Sequence, residues 1–304
     1  MPSYFQFVLT LLNGLTYGAL LFVIASGFTL VFGLMRVLNL SHGAIYLLGA
    51  YVGYTTSRTV AHLLEESVPA LQHVAGGGLG WLLGLLAAGL AGAAVALLLQ
   101  RLIGNVRGEL SQTLLTLGLA ITIGDLCLWV WGGLPLTLDA PDAISQPVRF
   151  AGIVYPGYRL FVIGFAVLTG IGLYLLLFRS QLGRIIRAGV DNREMVAAVG
   201  IDIDRLFLTV FILGGALTGI SGAIGGTYLA FQPGTDFEIL TVALFVVVIG
   251  GLGSLLGSGV GALIVGLIDS FGRAYFSELA IFLLSGTVIL VLAFRTQGLF
   301  GRAN

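Results

Sequence analysis

Few residues of this chain could carry chemistry, because its 304 residues include only 14 basic and 14 acidic side chains. His62, Glu65, Glu66 and His73 share one short segment and are residue types that bind metal ions. Their spacing matches no recognised metal-ligand motif, so no metal site is predicted. Cys127 is the single cysteine of the sequence, which excludes an intramolecular disulfide and a multi-cysteine metal centre.

The glycine-rich stretch GGLGSLLGSGVGA (250–262) superficially resembles a phosphate-binding loop. A Walker A loop needs a lysine to reach the phosphates, and all 14 basic residues of this chain are arginine. The serine-hydrolase pattern GxSxG and the zinc-protease pattern HExxH also do not occur. We therefore expect a protein that is not an enzyme and has no cofactor, so that any ATP would be bound by a different polypeptide.

Small polar side chains next to or inside apolar runs are the remaining candidates for ligand binding. A helix N-terminus offers backbone N–H groups and a positive dipole to a polar solute, and hydroxyl or amide side chains could line its path. The candidate solute-path residues are Asn39, Ser41, His42, Gln112, Thr113 and Thr116. Asn39, Ser41 and His42 are expected at the cytoplasmic start of a span. The same side chains could instead cap a helix or hydrogen-bond between helices, and the sequence leaves both interpretations open.

Three acidic residues lie inside or directly beside apolar runs. Asp125 lies inside an apolar run, where an ionised carboxylate costs about 2.5–3.5 kcal/mol near the bilayer centre, so it should face a cavity, a partner or the outer interface. Asp236 and Glu238 belong to FQPGTDFEIL, which is expected to be an outer turn. They are interpreted as a solvated helix cap, with contact to an extracytoplasmic protein as the alternative.

The composition is that of a membrane protein: 58% of the residues are hydrophobic, 9% are charged, and the mean hydropathy is +1.05. Uncharged runs of about 20 residues predict an all-α, polytopic transmembrane bundle. The predicted spans are 7–33, 40–58, 80–101, 110–132, 158–178, 206–231, 237–250, 254–272 and 278–295. Only GGLGS separates 237–250 from 254–272, so these two could be one kinked helix, and the count is eight or nine. The first run is expected to be a retained span, not a cleaved signal.

The arginines predict the orientation of the chain in the membrane. With nine spans, ten of them fall on one side and four on the other. The positive-inside rule makes the arginine-rich side cytoplasmic, which puts the N-terminus outside. We expect a multi-pass protein of the inner (plasma) membrane, in contact with the lipid bilayer and without a nucleic-acid partner. The outer segment 132–152 contains three prolines and is expected to lack regular structure.

Glycine is abundant, with 46 residues, and small residues recur every four positions in three of the predicted spans. Such stripes let helix backbones approach closely inside a membrane, where no hydrophobic force drives helices together. The predicted packing positions are Gly84, Gly92, Gly253, Gly257 and Gly261.

One polar segment, RSQLGRIIRAGVDNREMVAAVGIDIDR (179–205), interrupts the apolar sequence and carries nine charged residues in 27 positions. Asp191 and Glu194 have the spacing of a capping box, and Gly200 stands where a C′ glycine would end the helix. The segment therefore predicts a short cytoplasmic helix over 192–199.

This predicted helix would present Met195, Val196 and Val199 on one apolar face, with Arg184 and Arg187 upstream of it. Two turns are fewer than the roughly 12–15 residues that an isolated helix needs to be marginally stable in water, so the helix must dock onto something. It could pack on the cytoplasmic ends of its own bundle, or it could lie in the groove of a soluble partner.

Four stretches of the sequence carry a resemblance to a known family. GRIIRAGVDNREMVAAVGID (183–202) resembles the conserved cytoplasmic loop of permease subunits in branched-chain amino acid ABC importers. The matching positions are Gly183, Arg184, Arg187, Ala188, Asp191, Gly200 and Ile201. The stretches 26–51, with its Asn-x-x-His-Gly core, 247–266 and 297–301 are similar to further family segments in the same order. The resemblance covers nearly the whole chain.

The resemblance implies one permease domain over 1–304 that forms the translocation path for branched-chain (hydrophobic) amino acids. Its implied partners are a second homologous permease subunit, two cytoplasmic ATP-binding subunits and an extracytoplasmic solute-binding protein. The loop 179–205 would transmit the motion of the ATPases. The implied coupling residues are Gly183, Arg184, Arg187, Asp191, Glu194, Met195, Val199 and Gly200.

Two alternatives remain open at the level of sequence. An importer of the same class could carry urea or short amides, since the sequence does not specify the solute. An ion-coupled secondary transporter would instead use an intramembrane carboxylate and broken helices. Measuring whether uptake depends on ATP or on an ion gradient separates an ABC importer from a secondary transporter.

Overall fold

The computed structural model describes residues 4–35, 38–67, 72–106, 108–150, 152–191 and 193–301. Within these ranges the chain forms helices and one short β-hairpin. The helices before the hairpin are α1 (Tyr4–Met35), α2 (His42–Ser67), α3 (Gln72–Ile103), α4 (Glu109–Trp131) and α5 (Asp142–Ser145). The helices after it are α6 (Gly157–Arg179), α7 (Gln181–Asp191), α8 (Arg193–Ala198), α9 (Ile203–Tyr228), α10 (Thr235–Gly250), α11 (Leu255–Tyr275) and α12 (Ala280–Phe294).

The predicted helical architecture is confirmed, and each of the nine predicted spans corresponds to a helix. By length and apolar composition, six of the helices in the described residues can cross a membrane, namely α1, α3, α4, α6, α9 and α11. The other three are less suited to it: α10 and α12 have 16 and 15 residues, and the second half of α2 is polar. The criterion therefore yields fewer spans than the eight or nine predicted.

The chain divides into two compact units. The first comprises Met1–Val37, Val162–Val210 and Thr241–Asn304. The second comprises Leu38–Phe161 and Phe211–Leu240. This division is made by contacts between residues. The prediction of a single permease domain over 1–304 stays a prediction.

In the first unit, α1 packs along α11 at small residues. A side-chain carbon on Gly266 would lie 2.5 Å from the Gly14 carbonyl oxygen and 2.6 Å from the Gly18 Cα, closer than real Cβ contacts. Further along the same pair of helices, the Ser270 hydroxyl donates to the Thr10 carbonyl at 2.8 Å. Glycine thus allows backbone contact where a larger residue would force the two helices apart.

Also in the first unit, α10 and α11 form an antiparallel helix pair. Gly257 lies against the Gly250 backbone, and Gly261 lies against the Val246 carbonyl, so residue numbers rise on one helix as they fall on the other. Gly251 and Gly253 connect the helices with φ of +106° and +79°, a left-handed conformation that suits glycine. The alternative of one kinked helix is therefore wrong, and Gly253 lies in the turn before α11.

In the second unit, α3 packs against α2 and against the later part of α9. A side-chain carbon on Gly84 would lie 2.8 Å from the Gly53 carbonyl oxygen, which places α2 directly on α3. One on Gly92 would overlap the carbonyl of Gly215 in α9. The two predicted packing positions of α3 thus meet two different helices.

The segment 132–152, which was expected to be irregular, contains part of a β-hairpin, so that expectation was wrong. Strand β1 (Pro147–Phe150) pairs with β2 (Ile153–Pro156) in antiparallel register, with Pro147 opposite Pro156. The prolines are tolerated because they stand at the outer ends of the strands, where a missing N–H disrupts the ladder least.

Candidate functional site

The residues Asn39, Ser41 and His42 lie at the start of α2 and are buried, with at most 4% of each exposed. Asn39 Oδ1 accepts hydrogen bonds from the Ser41 backbone N–H at 3.1 Å and from the Ser41 hydroxyl at 2.6 Å. This arrangement satisfies polar groups that a buried helix start would otherwise leave unpaired. The Asn39 side chain therefore fixes Ser41, and together the two residues cap the start of α2.

Thr116 of α4 supports the same segment. Its hydroxyl oxygen accepts from the Leu40 N–H at 3.0 Å and donates to the Thr113 carbonyl at 2.7 Å. The other two candidates on α4 form bonds near their own helix: Gln112 Nε2 donates to the Val106 carbonyl at 2.9 Å, and the Thr113 hydroxyl bonds one turn back. Of the three, Thr116 is thus the residue that the structure brings next to the start of α2.

His42 lies against α9, with its Nε2 2.6 Å from the Thr218 hydroxyl oxygen. That hydroxyl has a single hydrogen and donates it to the Gly214 carbonyl at 2.8 Å, so His42 Nε2 is the donor to Thr218. Thr218 is the sixteenth of the 26 residues of α9. The start of α2 therefore lies beside the middle of a membrane-length helix, deeper than the cytoplasmic end where the sequence placed it.

The N-terminus of α10 meets the N-terminus of α2. A side-chain carbon on Gly43 would overlap the Asp236 carbonyl, so the two helix starts are in backbone contact. Asp236 itself is only 3% exposed. The expectation that Asp236 is a solvated cap was wrong, because Gly43 and Gly124 leave room for this turn to fold inward. The Pro233–Gly234 turn directly before an apolar run is the one sequence signal for this feature.

Two residues of the polar segment attach α7 to the end of α6. A side-chain carbon on Gly183 would overlap the carbonyls of Leu176 and Leu177. The Arg187 guanidinium donates to the Leu177 carbonyl and lies over the Phe178 ring, 5.2 Å from its centroid. Both contacts serve the fold of the segment. Sequence reasoning did not predict α7, on which Arg184 is exposed.

The predicted short helix corresponds to α8, and Gly200 ends it with φ of +83°. Its N–H bonds to the Ala197 carbonyl at 3.0 Å, and the Ile201 N–H bonds to the Val196 carbonyl at 3.4 Å, as in a glycine-terminated helix. The predicted capping box depends on the side chains of Asp191 and Glu194, which lie outside the described residues.

The side chains of α8 and of Val199, which directly follows it, include one buried residue and an exposed apolar pair. Val196 is 5% exposed, whereas Met195 and Val199 are 62% and 69% exposed. Met195 and Val199 are four residues apart and so lie on one face of the helix. Exposed apolar surface of this kind is a candidate for contact with a partner.

Two of the four histidine and glutamate residues considered as metal ligands, His62 and Glu66, have described side chains near the end of α2. His62 Nδ1 lies 3.5 Å from Glu66 Oε1 one turn away, and both side chains are largely exposed. The side chains of Glu65 and His73 lie outside the described residues. Within the described part of the chain, no group of three or more His, Cys, Asp or Glu residues converges.

Asp125 is exposed on the outward face of α4. Its neighbours one turn away, Ile121, Leu128 and Trp129, are 48%, 47% and 83% exposed. The carboxylate therefore stands in the middle of an apolar surface on a helix that is long enough to cross a membrane.

Six apolar helices of membrane length within the described residues define a multi-pass membrane protein. The family model for the branched-chain amino acid transport system / permease component matches residues 10–293, and the chain belongs to this family. The predicted resemblance is thus confirmed. These comparisons do not favour the urea, short-amide or ion-coupled alternatives.

Individual relatives agree with this assignment. The chain is 27% identical to the high-affinity branched-chain amino acid transport system permease protein BraD of Pseudomonas aeruginosa, over 99% of this chain and 98% of that protein. It is 26% identical to the high-affinity branched-chain amino acid transport system permease protein LivH of Escherichia coli K12, over 99% of this chain and 97% of that protein. It is also 26% identical to the E. coli K12 permease protein LivM, over 91% and 67%. No solved structure matches the chain.

Proposed function

We propose that this chain forms the translocation path of an ATP-driven importer of branched-chain amino acids and receives the motion of the ATPases through α8. The exposed pair Met195 and Val199 carries the proposal, because two apolar side chains at the end of a short helix suit the groove of a soluble partner. Since the sequence has no lysine for a Walker A loop, ATP would be bound by two separate cytoplasmic subunits.

The remaining partners are a second permease subunit and an extracytoplasmic solute-binding protein. E. coli K12 has two permease proteins, LivH and LivM, to which this chain is similar, and this supports pairing of two related subunits. The exposed Asp125 supports it as well. Lipid tails cannot hydrate a carboxylate, whereas a neighbouring subunit can supply a hydrogen-bond donor.

Leucine uptake tests the proposed function directly. The chain, its partner permease, the ATPases and the binding protein are reconstituted into proteoliposomes. We expect uptake of leucine that requires ATP and survives the collapse of proton and sodium gradients. Uptake that persists without ATP and disappears with an ion gradient would assign the chain to secondary transport and contradict the proposal.

The proposed orientation places α7 and α8 in the cytoplasm and the N-terminus outside, with α2, α10 and α12 completing nine membrane segments. A cysteine introduced by Ala197→Cys lies on the exposed surface of α8. We expect a membrane-impermeant maleimide to label it in inverted vesicles and not in intact cells, as the arginine distribution requires. The parent chain is the control, because its Cys127 is buried. Labelling in intact cells would show that α8 lies outside the cell and would contradict the proposed orientation.

A further inference from the structure

A buried carboxylate that forms no ion pair among the described residues lies within the second unit. Asp236 is 3% exposed, and its Oδ1 accepts the Gly234 N–H at 3.1 Å. Among the described residues, no arginine or histidine forms an ion pair with it. Removing an ionised carboxylate from water is costly unless another group compensates its charge, and such a residue inside a membrane bundle is a candidate for function.

The depth of Asp236 can be read from α4. A side-chain carbon on Gly124 would lie 3.4 Å from Asp236 Oδ2, and Gly124 is the sixteenth of the 23 residues of α4. At 1.5 Å per residue, the carboxylate is about 22 Å from one end of this helix and about 10 Å from the other. Asp236 therefore lies within the span of α4, away from both of its ends.

A buried hydroxyl without a hydrogen-bond partner lies in the same region of the second unit. Tyr51 of α2 is 0% exposed, and its hydroxyl makes no hydrogen bond. Its ring stacks on Trp131 of α4, with centroids 4.9 Å apart, and meets Phe231 edge-on at 5.0 Å. Asp236 comes five residues after Phe231 and lies against Gly124 of α4, so the two polar groups border the same part of α4. Aromatic packing thus holds the Tyr51 ring in place while its hydroxyl stays unpaired.

The N-terminal dipole of α10 and the Gly234 N–H explain only part of this arrangement. They stabilise the Asp236 charge, but a helix dipole recovers only a small part of the hydration that a buried carboxylate loses. They also leave the Tyr51 hydroxyl without a partner. One ligand with a positive charge and several N–H donors would satisfy both groups.

We propose that Asp236 and Tyr51 form a subsite that binds the α-ammonium group of the transported amino acid. An ammonium group donates to the carboxylate and to the hydroxyl oxygen together, and neighbouring aromatic rings favour a cation. The starts of α2 and α10, which meet at Gly43, add positive dipoles that suit the carboxylate of the same zwitterion. The subsite rests on the proposed function and specifies how its substrate class is recognised.

The test measures leucine imported per ATP hydrolysed by the complete complex in proteoliposomes. Asp236→Asn keeps the shape of the side chain and removes its charge. We expect it to lower this ratio about tenfold or more, the effect of losing one hydrogen bond to a charged group. Tyr51→Phe should lower the ratio by a smaller factor. Glu109→Gln is the control, because Glu109 is an exposed carboxylate in the first turn of α4, the helix that Asp236 contacts, and should leave the ratio unchanged.

Tyr51→Phe also separates binding from a structural role. It removes a buried hydroxyl that has no partner, so a structural role predicts an equal or higher thermal unfolding midpoint and unchanged uptake. The subsite predicts that uptake falls while the midpoint is retained. If Asp236→Asn prevents folding, Tyr51→Phe decides the question.

Each other outcome is equally decisive. Wild-type uptake of leucine with an unchanged ratio in both variants would overturn the subsite and leave the proposed function intact. A wild-type complex that imports no leucine would contradict both. Uptake that requires sodium in the wild type and loses this requirement in Asp236→Asn would assign the carboxylate to a metal cation and overturn the ammonium site.

Discussion

Replacing Val199 by Asp is expected to release the ATPase subunits from the membrane complex and to abolish ATP hydrolysis that depends on solute. Val199 is 69% exposed, so the substitution costs the isolated chain little. In a docked complex the same carboxylate would be buried against apolar surface without a partner, which costs several kcal/mol. Retention of the ATPase on the affinity-purified permease pair, together with ATPase activity in proteoliposomes, measures the effect. Met195→Asp should act in the same way.

The control for this substitution comes from the same short helix. Ala197 is also exposed but lies on a different face from Met195 and Val199, so Ala197→Asp adds the same charge away from the proposed contact. It should retain the ATPases. Equal retention in all three variants, at wild-type ATPase activity, would show that α8 does not carry the coupling.

Gly92→Val is expected to have the largest effect on stability. Its side chain would overlap the Gly215 carbonyl, so α3 and α9 would have to separate. Adding side-chain atoms to a well-packed contact typically lowers the free energy of unfolding by roughly 1–3 kcal/mol, and occasionally by more. The Gly215 backbone cannot move aside as a flexible side chain could. We expect a lower thermal unfolding midpoint in detergent and a lower yield of monodisperse protein.

Gly78→Val provides a comparison within the same helix. A side-chain carbon on Gly78 would have no neighbour within 4 Å. Both variants make the same replacement of glycine by a β-branched residue in α3, so the difference between their midpoints isolates the helix contact. Equal midpoints would mean that α3 and α9 tolerate separation at Gly92.

The helices and the end of α8 were predictable because their signals are local. Apolar runs of membrane length identify helices without knowledge of their neighbours. The Gly200 N–H bonds to a carbonyl three residues earlier and the Ile201 N–H to one five residues earlier, so a short stretch of sequence contains the whole end of α8. The glycine stripes likewise marked close helix contact, although they did not specify which helix Gly84 or Gly92 would meet.

The position of α2 and the turn before α10 depended on contacts between distant residues. His42 and Thr218 are 176 positions apart, and no periodicity relates them. FQPGTDFEIL has the composition of a solvated turn. Its inward fold depends on the space that Gly43 on α2 and Gly124 on α4 leave open.

The sequence by itself determined that this chain is a helical membrane protein, because hydropathy requires no folding to be read, and its family segments indicated a permease. The sequence also excluded a Walker A loop, because that motif needs a lysine and the chain has none. Tertiary structure alone decided that α10 and α11 form a hairpin and that Asp236 and Tyr51 are both buried against α4. Close backbone approach and burial depend on which helices become neighbours. Apolar helices in a membrane have no hydrophobic force that selects one neighbour over another, so the sequence of a single helix does not specify its partner.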